Sequence, residues 1–279
     1  MKDGIYHGID EIAYHSDPAL SYSACKQILA NPERWKWQRE QGRRERKAFD
    51  IGHAAHAKVL GVGLDIAVIP ADILASNGAT STKAAKEFVD EARKRGAVPI
   101  KQDEADRIDA MAEKVLTHPL ARDIFTHQHG EAEVSMWWTD PETGAACRGR
   151  MDWFIEPEQG TIADYKTADS AAPHLFGASA WRYGYLIQAW SYSNAISLLL
   201  GGDLPPFYMV AQETEPPYSV AVYRPEVAEL EIGRRLYRKA IETYLRCTET
   251  GIWPAYGDGV MPLQLPAYAY NTPDNTEDI

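Results

Sequence analysis

Asp152, Asp164 and Lys166 have the types and spacing to do chemistry together. Asp164 and Lys166 are two residues apart, so on a strand their side chains point to one face. A short turn between their segment and that of Asp152 brings the first carboxylate alongside. Oxygen donors of this kind suit a hard divalent cation such as Mg²⁺ or Mn²⁺. A lysine beside them can orient or deprotonate a water and offset charge developing on a phosphate. Taken alone, the same residues also make a strand-end aspartate and a same-face surface ion pair, so their setting has to decide.

Around the three residues the pattern is that of a sheet. Residues 131–139 alternate and are rich in β-formers, Asp140-Pro141-Glu142-Thr143-Gly144 is a turn, and 146–155 is a second strand. Pro157-Glu158-Gln159-Gly160 turns again into 161–166, which predicts an antiparallel meander. Beyond it the sequence predicts a helix over 184–200, strands at 207–213 and 218–223, and a long helix over 226–250. The stripe Leu230, Gly233, Tyr237, Ile241, Tyr244, Leu245 marks that helix's buried face.

Upstream, Ser21 or Ser23 can cap a helix that ends near Asn31-Pro32. A basic segment follows, then an Ala-rich buried helix through Gly52-His53-Ala54-Ala55-His56. Ser81 or Thr82 caps another helix that stops at Arg93-Lys94-Arg95-Gly96, and 103–116 is amphipathic. The expectation is one α/β domain over 1–256, helical to about 128, with an irregular acidic, proline-containing tail over 257–279.

The composition excludes several classes. No apolar run approaches the roughly 18 residues that span a bilayer, and the first residues lack the layout of a secretory signal. Three scattered cysteines, Cys25, Cys147 and Cys247, supply neither a disulfide framework nor a four-thiolate iron–sulfur site. A reduced, cytoplasmic protein is the expectation. A net charge of −11 counts against a protein that coats nucleic acid, yet basic residues concentrate in Arg34, Lys36, Arg39, Arg43, Arg44, Arg46 and Lys47. Such a strip fits local contact with an anion, or a solvated helix face.

Several motifs recur in a recognisable order. They are Leu20-Ser21-Tyr22-Ser23, Gly52 to His56, Gly130-Glu131-Ala132-Glu133-Val134-Ser135, Arg150-Met151-Asp152, Asp164-Tyr165-Lys166-Thr167, Tyr185 with Gln188 and Tyr192, and Trp253-Pro254. In this order they resemble the RecE-like exonucleases (the exodeoxyribonuclease VIII type) of the PD-(D/E)XK nuclease superfamily. RecB-type nuclease domains are more distantly similar. The resemblance reaches to about Tyr256 and departs from the family at Met151, where proline is usual.

It implies a restriction-endonuclease-like α/β core: a central mixed sheet with a meander, flanked by helices. Asp152, Asp164 and the backbone carbonyl of Tyr165 would be metal ligands, Lys166 would position the attacking water, and Glu133 and His56 would complete the metal site. Gln188 and Tyr192, four apart on one helix face, would brace it. Arg43, Arg44, Arg46, Lys47, Arg148, Arg150 and Thr167 would contact DNA.

The implied activity is Mg²⁺-dependent digestion of linear duplex DNA from a 5′ end, with Mn²⁺ able to substitute and no iron–sulfur cluster. A ring-shaped homo-oligomer and a single-strand annealing protein or recombinase as partner go with it. On residue type alone His53 rivals His56 and Glu131 rivals Glu133, since strict alternation puts both glutamates on one face. Trp181, Tyr183 and Tyr185 read as core or as a base-stacking platform. Two other readings remain: a nuclease fold that only binds, and a facial iron site of His53, His56 and a carboxylate.

Overall fold

The computed structural model describes residues 1–42, 51–62, 65–156, 160–257 and 259–265, apart from the side chains of Ile51 and His53. At the centre is a six-stranded sheet. Its strands are β1 (Gly4–Tyr6), β4 (Gly130–Thr139), β5 (Ala146–Ile155), β6 (Thr161–Ala168), β7 (Phe207–Glu213) and β8 (Val220–Tyr223), in that spatial order. β2 (Ile66–Val68) and β3 (Val98–Ile100) form a separate parallel pair. β4, β5 and β6 are the expected meander. β6 and β7 run parallel, so the chain between them must cross over. It does so through α8 (Pro173–Tyr183) and α9 (Tyr185–Leu200).

The other helices are α1 (Glu11–Ser16), α2 (Tyr22–Ala30), α3 (Pro32–Glu40), α4 (Ile51–Leu60), α5 (Lys83–Lys94), α6 (Gln102–Thr117), α7 (Pro119–Phe125) and α10 (Val227–Thr250). Ser21 and Thr82 cap α2 and α5, each accepting a backbone N–H with its hydroxyl. Helices cover both faces of the sheet, as its apolar residues on each side require. On one face α2, α9 and α10 bury Ile28, Ile187, Ala195, Tyr237 and Ile241 against Val134, Met136, Met151 and Ile162. On the other, α4, α6 and α7 bury Val59, Val115 and Phe125 against Trp153, Ala163, Tyr165 and Val210. Gly233 lets α10 approach α9 closely: a Cβ there would lie 2.1 Å from the Leu186 carbonyl oxygen.

Two differences from expectation stand out, and the described chain after α10 is irregular as expected. The first 128 residues are not purely helical, because β1 joins the main sheet at its edge beside β4 and β2 and β3 pair apart from it. α8 lies where no helix is expected. Beyond α10, Trp253 stacks on Trp35 with ring centroids 5.3 Å apart, and residues 252–257 and 259–265 carry no helix or strand.

Candidate active site

The site is built where the sheet comes apart. β5 and β6 pair at Ile155 with Thr161, Phe154 with Ile162 and Trp153 with Ala163, and the ladder ends there. The next pair would be Asp152 with Asp164. Instead β6 stays on β7, paired from Ile162 to Ala168, and β5 stays on β4. One ladder bond is replaced by a side chain: the Tyr165 N–H donates to Asp152 Oδ2 at 2.9 Å.

The adjoining β4–β5 ladder is broken at the same level. Glu131, Ala132, Val134 and Ser135 pair with Phe154, Trp153, Met151 and Arg150, but Glu133 and Asp152 do not pair. Glu133 has φ 58°, the left-handed region that a non-glycine residue rarely occupies. The consequence is a reversal of phase. Val134 and Met151 pack with the α2/α9/α10 side, whereas Ala132 and Trp153, also two residues along their strands, pack with the α4/α6/α7 side. Strict alternation, which would put Glu131 and Glu133 on one face, therefore fails here. Glu131 pairs with the exposed His7 at 2.9 Å, and Glu133 is free to turn to Asp152.

The helices complete the arrangement. α4 presents His56, whose Nε2 is 2.9 Å from Asp152 Oδ2. One donor atom each from His56, Glu133 and Asp152 lie within 4.8 Å of one another. An imidazole nitrogen and two carboxylate oxygens in that space are a donor set that fits a divalent cation. Asp164 does not join this group. It is 1% exposed; its Oδ1 accepts a 2.6 Å hydrogen bond from Gln188 Nε2 of α9, and its Oδ2 pairs with the Lys166 ammonium. The Lys166 Nζ lies 4.6 Å from the centroid of the Tyr185 ring.

The electrostatics follow from crowding. Burial pushes the Asp164 carboxyl up, and Asp152 pushes it further, to about 6. Burial and then Asp152 likewise raise Glu133. Burial would also raise Asp152, but His56, Lys166 and the Tyr165 N–H outweigh it and hold that carboxyl below its usual range. Burial disfavours the His56 imidazolium, yet Asp152 overrides this and lifts His56 to about 9. Lys166 is held cationic against its own burial, chiefly by Asp164.

The remaining expected residues fall into two groups. Tyr192 is a buried support: its hydroxyl accepts the Arg150 N–H at 3.2 Å, and a Cβ on Gly149 would meet its ring at 2.6 Å. Arg148 and Arg150 also turn inward. Arg148 is buried and donates to the Ala19 and His15 carbonyls at 3.1 and 3.5 Å. Arg150 donates to Ser135 Oγ and the Ile9 carbonyl at 2.9 and 2.7 Å. Both guanidiniums lie over the Tyr14 ring, at 4.5 and 4.3 Å. They clamp the segment after β1 onto the sheet rather than reaching outward for a phosphate. Thr167 lies on β6 opposite Gln212. Arg43, Arg44, Arg46 and Lys47 lie outside the described residues, as does the His53 side chain. The described donors number one imidazole and two carboxylates, and the second histidine of the facial reading lies outside the described side chains.

Sequence reasoning missed Tyr22 as a neighbour of this centre. Its ring meets Tyr192 edge-on at 5.9 Å, and its hydroxyl feels Lys166 most strongly, then burial and Asp164. Its place between Ser21 and Ser23 in a recognised motif was the available signal.

A mixed sheet clad by helices, with an acidic pair and a lysine at the point where its strands diverge, is the architecture of the PD-(D/E)XK class. The chain belongs to the family described as PDDEXK-like domain of unknown function (DUF3799), whose model matches residues 21–261. Among solved structures it is similar in fold to a candidate exonuclease from Eubacterium rectale, with a TM-score of 0.63 at 13% identity over 98% of this chain and 100% of that one. The structure of SSO0001 aligns over 84% of this chain and 96% of its own at 12% identity, with a TM-score of 0.30, too low to establish a shared architecture. No curated protein matches the sequence. Among the described residues no helix is long and apolar enough to cross a membrane.

Proposed function

We propose that this protein is a metal-dependent deoxyribonuclease that digests linear duplex DNA from its ends, 5′ to 3′, for recombination. The observation that carries the reading is the grouping of Asp152, Glu133 and His56 beside the Asp164–Lys166 pair. A purely binding module has no use for carboxylates crowded enough to push one another's protonation upward. The family and the fold of the Eubacterium rectale structure, described as a candidate exonuclease, support the same class.

A divalent cation, Mg²⁺ or in its place Mn²⁺, held by Asp152, Glu133 and His56 would supply a Lewis acid for the phosphodiester and acidify a water. Lys166 orients that water and meets charge on the phosphate. Its ammonium is stabilised by Asp164, so it is suited to holding a proton rather than accepting one. Gln188 fixes Asp164, and Asp164 in turn fixes Lys166. Attack in line opens the P–O3′ bond and leaves a 5′-phosphate and a 3′-hydroxyl. Digestion of one strand leaves a 3′ overhang, the substrate for a recombinase or single-strand annealing protein. A ring of copies in the cytoplasm would let a chain of net charge −11 retain DNA by enclosure.

The test is digestion of end-labelled linear duplex and covalently closed circular DNA with Mg²⁺, by wild type and Lys166→Ala. The expected result is loss of the linear 5′ strand with the circle spared. Lys166→Ala should lower the rate by about 10²–10³-fold. Cutting of the circle would replace the exonuclease with an endonuclease on the same fold. No cleavage with either Mg²⁺ or Mn²⁺ would leave only a binding role.

A further inference from the structure

Two aromatic residues at the junction of α8 and α9 stand outside the core, whereas Tyr185 is half-buried against it. Trp181 is 64% exposed and Tyr183 45% exposed, and Tyr183 leads back to the active site. Its ring stacks with Tyr185 at a centroid distance of 5.8 Å and an interplanar angle of 27°. Tyr185 in turn lies under the Lys166 ammonium. Two cations flank the outer ring: Lys26 Nζ and the Arg182 guanidinium are each 5.7 Å from the Tyr183 centroid.

The turn between the helices leaves room for Lys26. Gly184 ends α8 in the left-handed conformation, φ 72°. A Cβ there would come within 3.2 Å of the Lys26 side-chain carbons, so the missing side chain makes room for the lysine stem. The result is a strip of rings edged with positive charge on a protein whose net charge is −11, running from the surface to the lysine of the active site.

Resting on the nuclease reading above, we propose that this strip binds the unpaired strand of DNA next to the phosphate being cut. A base stacks on Tyr183, and Lys26 and Arg182 meet the backbone. Stacking platforms edged with cations bind single strands with little sequence preference, because every base has a π-face. Duplex keeps its base faces covered, so the strip favours a frayed or single-stranded end. It gives the enzyme a grip on a strand that has separated from its complement.

The experiment is fluorescence anisotropy of a dye-labelled single-stranded oligothymidylate with the full chain in chelator, run beside Mg²⁺-dependent digestion of labelled duplex. Tyr183→Ala should weaken oligonucleotide binding about tenfold, whereas Trp181→Ala, on another face of α8, should bind like wild type. Tyr183→Phe, which keeps the ring, should bind like wild type. Lys26→Ala should reduce the dependence of log K on log salt by about 0.7.

The proposal is overturned if wild type does not bind the oligonucleotide, or if Tyr183→Ala binds it as wild type does. The two readings separate cleanly. Digestion with unaltered binding in Tyr183→Ala removes the strip and leaves the nuclease. Binding that depends on the rings, without hydrolysis by wild type, removes the nuclease and leaves the strip.

Discussion

Two buried ionic clusters lie along the same strands, and they are built on opposite principles. At the β4–β5 turn Asp140 is fully buried, and one of its oxygens accepts from Arg238 at 2.7 Å and from the Thr143 hydroxyl and N–H at 2.7 and 3.0 Å. Arg238 also reaches Glu142 at 2.9 Å. Burial opposes the Asp140 anion, but Arg238 and Thr143 outweigh it and lower its pKa. At the other end of the meander Glu133, Asp152 and Asp164 crowd together, and although Arg150, His56 and Lys166 lie beside them, two of the three are raised instead. A cluster whose charges are answered within the chain is a clasp. One whose carboxylates crowd closely enough to raise one another is prepared for a cation from outside.

Exchanging the same atoms at the two places should separate these roles. Asp152→Asn keeps an acceptor for the Tyr165 N–H but removes a charge from the donor set. Hydrolysis should fall on the order of 10³-fold, several kcal/mol of lost charge stabilisation, with little change in thermal stability. Asp140→Asn should do the reverse. It leaves Arg238 with Glu142 as its remaining anion, and breaking a buried pair costs roughly 3–5 kcal/mol. The lower end is expected because Glu142 remains. Denaturant unfolding should show that loss, while the residual folded fraction digests DNA at the wild-type rate. Equal losses of activity at both sites would abolish the distinction.

A cation supplies the next contrast. Binding to the folded state alone at 100 times Kd stabilises by about 2.7 kcal/mol, so saturating Mn²⁺ should raise the wild-type melting temperature by roughly 5 °C or more. The rise should disappear in Asp152→Asn and persist in Asp140→Asn. Scanning calorimetry with and without chelator decides it. Persistence of the rise in Asp152→Asn would place the cation elsewhere.

Much of this was legible because strands write their faces into sequence at a period of two. Asp164 and Lys166 could be placed on one face, and the turn 157–160 could be seen to bring Asp152 near. Period two is also why Glu133 could not be separated from Glu131. The reversal rests on φ 58° at Glu133, and a glutamate does not announce that conformation as a glycine would. Helix α8 was hidden for a local reason: no side chain caps it at Ala172, and Gly177 interrupts its middle. β1, β2 and β3 have three residues each, too few to show a period. Arg148 and Arg150 were expected to contact DNA, but their targets here, the carbonyls of Ala19 and Ile9, are set by the tertiary fold alone.

The smallest signal is a difference in slope, and its sign distinguishes the clusters most directly. In chelator, the folded Asp164 carboxyl titrates at about 6 against an ordinary value of 3.8. Across that window the folded state binds more protons than the unfolded one, so this group makes stability fall as pH rises from about 4 to 6. Replacing it by asparagine should remove that fall, and the stability of wild type relative to Asp164→Asn should decline through the window. Asp140 has the opposite sign. Its folded value lies below 3.8, so the unfolded state binds the extra proton. Its contribution is present above 3.8 and is lost as pH drops through the folded value. Wild type relative to Asp140→Asn should therefore gain stability as pH rises towards 4 and then stay level to 6. Melting temperatures from pH 3 to 7 for the three proteins give both curves. Parallel curves for the two variants would mean that the meander's two ends answer their buried charge in the same way.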